Sequence, residues 1–266
     1  MKKLIASLLI LVIGIGAIAA EGFEIEAYGG AGVEQFYASG FKDTRLSDAK
    51  YRGTLYSSSN NEGSLLLDLD DMNAAGMLIT TQLGARYEVL PTIYALGEFS
   101  FGLLGLDQYA LQAEAGSLFM FPMGFLLPNL HLGVGIKVGY FDFTKNLGKA
   151  KILDGTQGPV ILPEGTIREN YLIEFTSSGL SLTPMADITL DLSDHLALGF
   201  DVGFQWAISF KNALYAKADK DSDPISISTN SGNFYQPTSG TLTEMTMNPV
   251  VSLTGLKMNA HVMYRY

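Results

Sequence analysis

Apolar and polar residues alternate with a period of two along most of the chain, the pattern of strands that turn each face to a different medium. In the first such segment Phe23, Ile25, Ala27, Ala31 and Val33 share one parity, and Glu24, Glu26 and Glu34 the other. The second sets Met77, Ile79, Leu83, Ala85, Tyr87 and Val89 against Gln82, Arg86 and Glu88. Across Leu90-Pro91-Thr92 a third sets Ile93, Phe99, Phe101 and Leu103 against Glu98 and Ser100, and a fourth sets Tyr109, Leu111, Phe119 and Phe121 against Gln112 and Glu114. Beyond a turn at 123–129, the fifth segment (130–140) opposes Leu, Val and Ile to His131, Lys137 and three glycines. The sixth (180–190) opposes its leucines to Asp187, the seventh (196–210) its aromatics to Asp201 and Gln205, and the eighth (256–266) sets Leu256 and Val262 against Lys257, Asn259, His261 and Arg265. The pattern predicts an all-β chain, a transmembrane antiparallel up-and-down barrel of about eight strands, or ten if a long connection holds a further hairpin.

The connections support closure across a bilayer. Those after the second, fourth and sixth strands are short, whereas those after the others span about 38–73, 104–108, 144–170 and 211–248. Short turns at one end and mostly long loops at the other are how transmembrane barrels are organised. In hydrocarbon every backbone N–H and C=O must pair within the protein, so a sheet can cross only by closing on itself with apolar side chains outward. One face here carries bulky Leu, Ile, Phe and Val while the other mixes glycine with charge, which assigns the bulky face to lipid. Aromatics near the strand ends predict two interfacial girdles: Phe36, Tyr37, Phe101, Tyr109, Tyr140, Phe143, Trp206 and Phe210 at one, and Phe23, Phe119, Phe121, Tyr264 and Tyr266 at the other.

The first residues explain how such a chain leaves the cytoplasm. Lys2 and Lys3, the apolar run 4–18 and Ala17-Ile18-Ala19 match a secretory signal, so 1–20 is expected to be removed after Ala19 or Ala20 and 21–266 to form the barrel. With 17 Lys+Arg against 27 Asp+Glu the chain lacks the basic footprint that nucleic acid requires. Zero cysteines exclude a disulfide scaffold and a thiol nucleophile.

The closing residues Met258, Ala260, Val262, Tyr264 and Tyr266 alternate up to a terminal aromatic. This resembles the C-terminal signal by which Gram-negative outer-membrane proteins are recognised by the barrel-assembly machinery. With the signal segment and the strand pattern, the whole mature chain resembles the small eight-stranded outer-membrane barrels of the OmpW, OmpX and OmpA-transmembrane type. The resemblance implies residence in the outer membrane, with its lipid and the assembly machinery as partners. The alternation running to Tyr266 leads to the expectation that the chain departs from full-length OmpA-type proteins in having no periplasmic cell-wall-binding domain.

The interior is where chemistry is expected. Inward parity assigns to the lumen Glu24, Glu26, Glu34, Arg86, Glu88, Glu98, Glu114, Lys137, Asp187, Asp191, Asp201, Lys257, His261 and Arg265. Those charges form either a salt-bridged plug or, with the inward glycines leaving space, a narrow cation-favouring path. Inward Tyr28, Leu78, Tyr94, Leu96, Leu104, Leu118, Phe141 and Met185 form either an apolar pocket, as the OmpW resemblance implies for hydrophobic solutes, or simple packing. Catalysis is not expected: His195 falls in a turn, His131 near the same end of the fifth strand and His261 on the lumen face, away from the lipid face or outer rim where lipid-acting sites open, and no G-x-S-x-G elbow occurs. Neither metal nor cofactor is expected, since Asp219-Lys220-Asp221-Ser222-Asp223 lacks the turn glycine and closing glutamate of a calcium loop. The expected role is a narrow channel, passive transporter or structural component of the outer membrane. The alternative is an adhesion or receptor barrel acting through its long outer loops, with a host-surface ligand left open.

Overall fold

The computed structural model describes residues 25–39, 50–55, 62–69, 75–105, 107–125, 127–152, 160–162, 165–167, 170–218, 223–227, 234–238, 241–245 and 250–266. The signal segment 1–20, Glu24 and the acidic stretch 219–222 lie outside them. The described residues form strands β1 (Ile25–Ser39), β2 (Lys50–Leu55), β3 (Glu62–Leu69), β4 (Ala75–Leu90), β5 (Ile93–Leu104), β6 (Gln108–Pro122), β7 (Leu130–Ile152) and β8 (Val160–Leu162). They continue with β9 (Gly165–Ile167), β10 (Leu172–Asp191), β11 (Leu196–Lys217), β12 (Ile225–Ile227), β13 (Phe234–Thr238), β14 (Thr241–Met245), β15 (Val250–Ser252) and β16 (Gly255–Arg265).

Eight of these close a ring in the order β1-β4-β5-β6-β7-β10-β11-β16, with β16 returning antiparallel to β1. Closure removes every sheet edge from the ring. The extra hairpins anticipated in the loops exist but do not enlarge it: β3 pairs with the far end of β7, β2 with β3 and β8, and β13 with β2. They add wall at the loop end only.

The alternation survives as geometry. Leu83, Ile79, Val134, Val138, Leu180 and Val262 are all exposed on the outside, while Gln82, Thr80, Lys137, Ser181 and His261 beside them are buried within. The stretches 130–140 and 180–190, each apolar on its outer parity, have the roughly 9–11 residues of a strand crossing hydrocarbon. Outward aromatics frame this band. Tyr140 lies 6.3 Å from Phe210 and Phe204 5.4 Å from Trp206 toward the loop end, and Tyr264 lies 5.0 Å from Tyr266 at the turn end.

Two girdle assignments are corrected. Phe36 and Phe143 point inward and are fully buried, 5.8 Å apart, because both lie on the lumen parity of their strands.

The long connections are also corrected. Strand β7 runs on to Ile152 and β11 ends at Lys217, so 144–152 and 211–217 are wall rather than loop, and β10 begins at Leu172, ahead of the alternating stretch 180–190. Beyond Tyr140 and Phe210 the polarity of the wall inverts. Phe141, Phe143, Leu147, Ile173, Phe175, Leu214 and Leu253 now fill the inside as one apolar core, and Asp142, Glu174 and Lys211 lie on the outer parity. A bulge achieves part of this: Gly179 pairs with Ser209 and Ser178 with Lys211, so Phe210 is an extra residue that shifts the inward parity of β11 from odd to even. The inside is mostly polar at mid-barrel and mostly apolar above it, where Gln108, Lys145 and Ser177 are buried beside the apolar core.

At the turn end, Thr92 follows Pro91 with φ +71°, the φ pattern of a type II corner, and its N–H donates to Glu88 Oε1 at 2.8 Å.

Candidate functional site

The register explains the interior. Glu98 stands directly opposite Glu114 across β5 and β6, and Asp187 directly opposite Asp201 across β10 and β11. Like charges facing each other across a ladder repel, so each pair needs cations brought from other strands.

Lys137 from β7 and Lys257 from β16 serve the first pair. Lys137 Nζ lies 3.3 Å from Glu98 and 3.8 Å from Glu114; Lys257 Nζ lies 3.3 Å from Glu98 and forms an ion pair with Glu114. Lys257 also donates to Gln112 Oε1 at 3.1 Å, Thr183 donates to Glu114 at 3.1 Å, and the Tyr28 hydroxyl donates to Glu98 at 3.2 Å. Both lysines are only 1% exposed. Just toward the loop end, Glu34 accepts from the amides of Gln112 (2.9 Å) and Gln205 (2.8 Å).

The second pair is held from two strands, β4 and β16. His261 Nδ1 lies 3.5 Å from Asp201 and Nε2 4.0 Å from Asp187, Asn259 donates to Asp201 at 3.0 Å, and Arg86 lies 3.6 Å from Asp187. Arg86 pairs in turn with Glu26, which accepts from Arg265 at 2.6 Å. Arg265 reaches Asp191 at 2.7 Å, and Asp191 contacts His131 at 2.9 Å. A continuous chain of charge therefore runs from the turn-end rim to mid-barrel. Among the described residues, three buried side-chain polar atoms lack a partner: Gln82 Oε1, Gln108 Nε2 and Ser181 Oγ.

The lumen set predicted from parity divides accordingly. Glu26, Glu34, Arg86, Glu98, Glu114, Lys137, Asp187, Asp201, Lys257 and His261 are buried in the network, whereas Asp191 and Arg265 sit part-exposed at the rim. Glu88 is a correction: it is exposed and its carboxylate accepts from Thr92 N–H in the Pro91-Thr92 turn, because it lies past the last described β1–β4 pair, Ile25 with Tyr87, at the turn-end rim. With Glu24 outside the described residues, the imbalance narrows to six buried carboxylates against three permanent cations and His261 in this section.

The idea that inward glycines leave space is overturned. A Cβ on Gly84 would collide with the Tyr28 ring, on Gly199 with the His261 ring, on Gly139 with Glu114, and on Gly133 with Met120 and Leu118. The glycines are pits that a neighbouring strand's large side chain fills. A cavity of about 10 Å³ lies between Tyr28, Leu118, Lys137, Met185, Asp187 and His261, room for about one water.

The apolar set divides. Leu78, Leu104 and Phe141 belong to the loop-end core, Leu96, Leu118, Tyr94 and Met185 to a small turn-end cluster with Met120, and Tyr28 packs with Ala197 and Met263, while Tyr28, Leu96, Leu118 and Met185 together line the small cavity. The polar network separates the loop-end core from the other two. The C-terminal set Met258, Ala260, Val262, Tyr264 and Tyr266 lies along the outer face of β16 and the terminus that follows it. His195, in the β10–β11 turn, stacks on Tyr264 at 6.1 Å.

What sequence reasoning missed is the partnership itself. The parity of Glu98 and Glu114 was visible, but their face-to-face register and the convergence of two lysines from other strands depend on strand pairing and barrel tilt.

No family model matches this chain, and no curated protein does. Among solved structures it is similar to the Neisserial surface protein A (8% identity, 92% of this chain and 97% of that one, TM-score 0.40). It is also similar to a major outer membrane protein from Thermus thermophilus (13% identity, 91% and 99%, TM-score 0.44). A third is Ail, the attachment invasion locus protein of Yersinia pestis (12% identity, 92% and 99%, TM-score 0.34).

Proposed function

We propose that this protein is a closed outer-membrane barrel that acts as a surface scaffold, presenting the wall above its girdle to the outside rather than conducting solutes. In this reading 1–20 directs export, the outer face of β16 is read by the barrel-assembly machinery, and the turn end faces the periplasm. The observation that carries it is the cross-section at Lys137 and Lys257, where two cations 1% exposed lie among Glu98, Glu114 and Gln112. An interior this narrow is filled by its own side chains. An apolar core seated on the loop side of it gives ions no hydrated continuation.

Refolded protein in planar bilayers tests the reading. The expected result is a folded, electrically silent barrel; discrete cation-selective openings that vanish on Glu98→Gln with Glu114→Gln would establish a conducting lumen instead. Surface binding is tested by removing 228–249, which spares β11 and β12, and measuring adhesion to candidate surfaces. A deletion begun at 212 would cut into the wall.

A further inference from the structure

The turn joining β6 to β7 has a composition that turn geometry does not call for. Pro122, Gly124, Pro128 and Asn129 are the residue types that make a chain reverse. Interleaved with them are Met123, Phe125, Leu126 and Leu127, and no Asp, Glu, Lys or Arg occurs anywhere between Glu114 and Lys137. The other two turns at this end each carry an acid, Glu88 and Asp194.

The turn is built rather than slack. Met123 N donates to Leu130 O at 2.8 Å, Leu127 N to Met123 O at 3.2 Å and Leu130 N to Leu127 O at 3.1 Å. Asp191 N donates to Asn129 O at 2.9 Å, which ties the turn to the end of β10. With its backbone so fixed, it holds Phe125 79% exposed and Leu127 54% exposed. The patch is continuous with the lipid-facing wall: Phe119 and Phe121, outward on β6 with their rings 4.5 Å apart, lead directly into it.

We propose that the β6–β7 turn is a second membrane contact, seated in the headgroup and glycerol layer of the periplasmic leaflet, with phospholipid as the partner its chemistry fits. It rests on the membrane reading above and goes further. Continuity with the lipid-facing band argues for lipid, since the apolar surface begins on the wall that hydrocarbon covers and rounds the barrel end without an intervening charge. Rings and aliphatic chains at that depth gain burial while the turn's peptide groups keep access to water and headgroups. The consequence is a fixed depth and tilt for the β6–β7 side of the barrel.

The chain has a single tryptophan, Trp206, outward and 52% exposed at the opposite girdle. The wild-type protein refolded in phosphatidylcholine vesicles reports insertion through Trp206. Trp206→Phe with Phe125→Trp, and separately with Leu127→Trp, reports the turn. The inference expects blue-shifted emission that resists iodide and is quenched more by lipid brominated near the headgroup than at mid-chain. Red-shifted, iodide-quenched emission from both turn variants, while Trp206 remains lipid-quenched, overturns it and points to a protein partner for the patch. Iodide-accessible Trp206 as well would instead defeat the membrane reading. Heat-modifiable gel mobility confirms that each variant is folded, and having two reporter positions keeps the test valid if one fails to fold.

Discussion

Replacing Lys257 by methionine removes one of two cations that separate two facing carboxylates. At the 3.3 Å between Nζ and Glu98, an effective dielectric near 20 gives an attraction of roughly 5 kcal/mol, and the ion pair with Glu114 adds to it. Desolvation of a group 1% exposed offsets much of that gain. Breaking a buried charge cluster on one side costs about 3–5 kcal/mol, because the partner carboxylate is left uncompensated. Lys257→Met is therefore expected to lose about that much in urea unfolding from lipid vesicles, followed by tryptophan fluorescence and gel mobility. Lys257→Met with Glu114→Met leaves one acid, Glu98, beside one base, Lys137, at 3.3 Å. The double variant is thus expected to be substantially more stable than the sum of the two single losses. Strict additivity, or a loss below about 1 kcal/mol for the single variant, would refute the view that these charges are mutually dependent.

Three further outcomes are checked by the same unfolding assay. Gly199→Ala, whose Cβ would meet the His261 ring, is expected to cost about 1–3 kcal/mol by overpacking, whereas Gly124→Ala, with nothing within 4 Å, is expected to be near neutral. Phe175→Ala, in the loop-end core and fully buried, is expected to cost about 3–5 kcal/mol; the loss is expected to be alike in detergent and in lipid, since this core lies above the lipid-facing band. Thr92→Gly is expected to stabilise by about 1 kcal/mol, because a β-branched residue at φ +71° bears a steric cost that glycine does not.

Strand number, face assignment and the lipid band were legible because one rule, bulky outward and small or charged inward, holds over 130–140 and dominates the equivalent stretches of the other strands, with Tyr28, Leu96, Leu118 and Met185 as bulky inward exceptions. Reading stopped where the rule reversed. Phe141 and Phe143 continue the inward parity of β7 but are bulky, so a pattern seeking bulk on the outward parity ends at Tyr140. On β11 the bulge at Phe210 breaks the period as well, and Leu214 and Ala216 emerge on the opposite parity. The interior was legible as an inventory and not as a site. Nothing in Glu98 and Glu114, sixteen positions apart, indicates that they face each other, or that Lys257 arrives between them from the last strand. The inward glycines misled for the same reason: Gly84 looks like space until Tyr28 on the adjacent strand is seen to occupy it.

The two interiors constrain each other. A charged section alone would admit a hydrated path if its ion pairs rearranged, since three cations against six carboxylates leave groups that water readily solvates. An apolar section alone would admit a hydrophobic solute. Stacked along one axis, each blocks what the other passes: an ion entering from the turn end meets Phe141 and Phe36, and an apolar molecule entering from the loop end meets Lys137, Lys257 and their carboxylates. Opening the barrel to either class would require disrupting both layers. The reversal of polarity at the girdle also gives the loop-end wall the apolar core that the proposed scaffold role calls for. The wall above the membrane is held by a packed core of its own, Phe175 and Leu214 among its fully buried members, rather than by the lipid below.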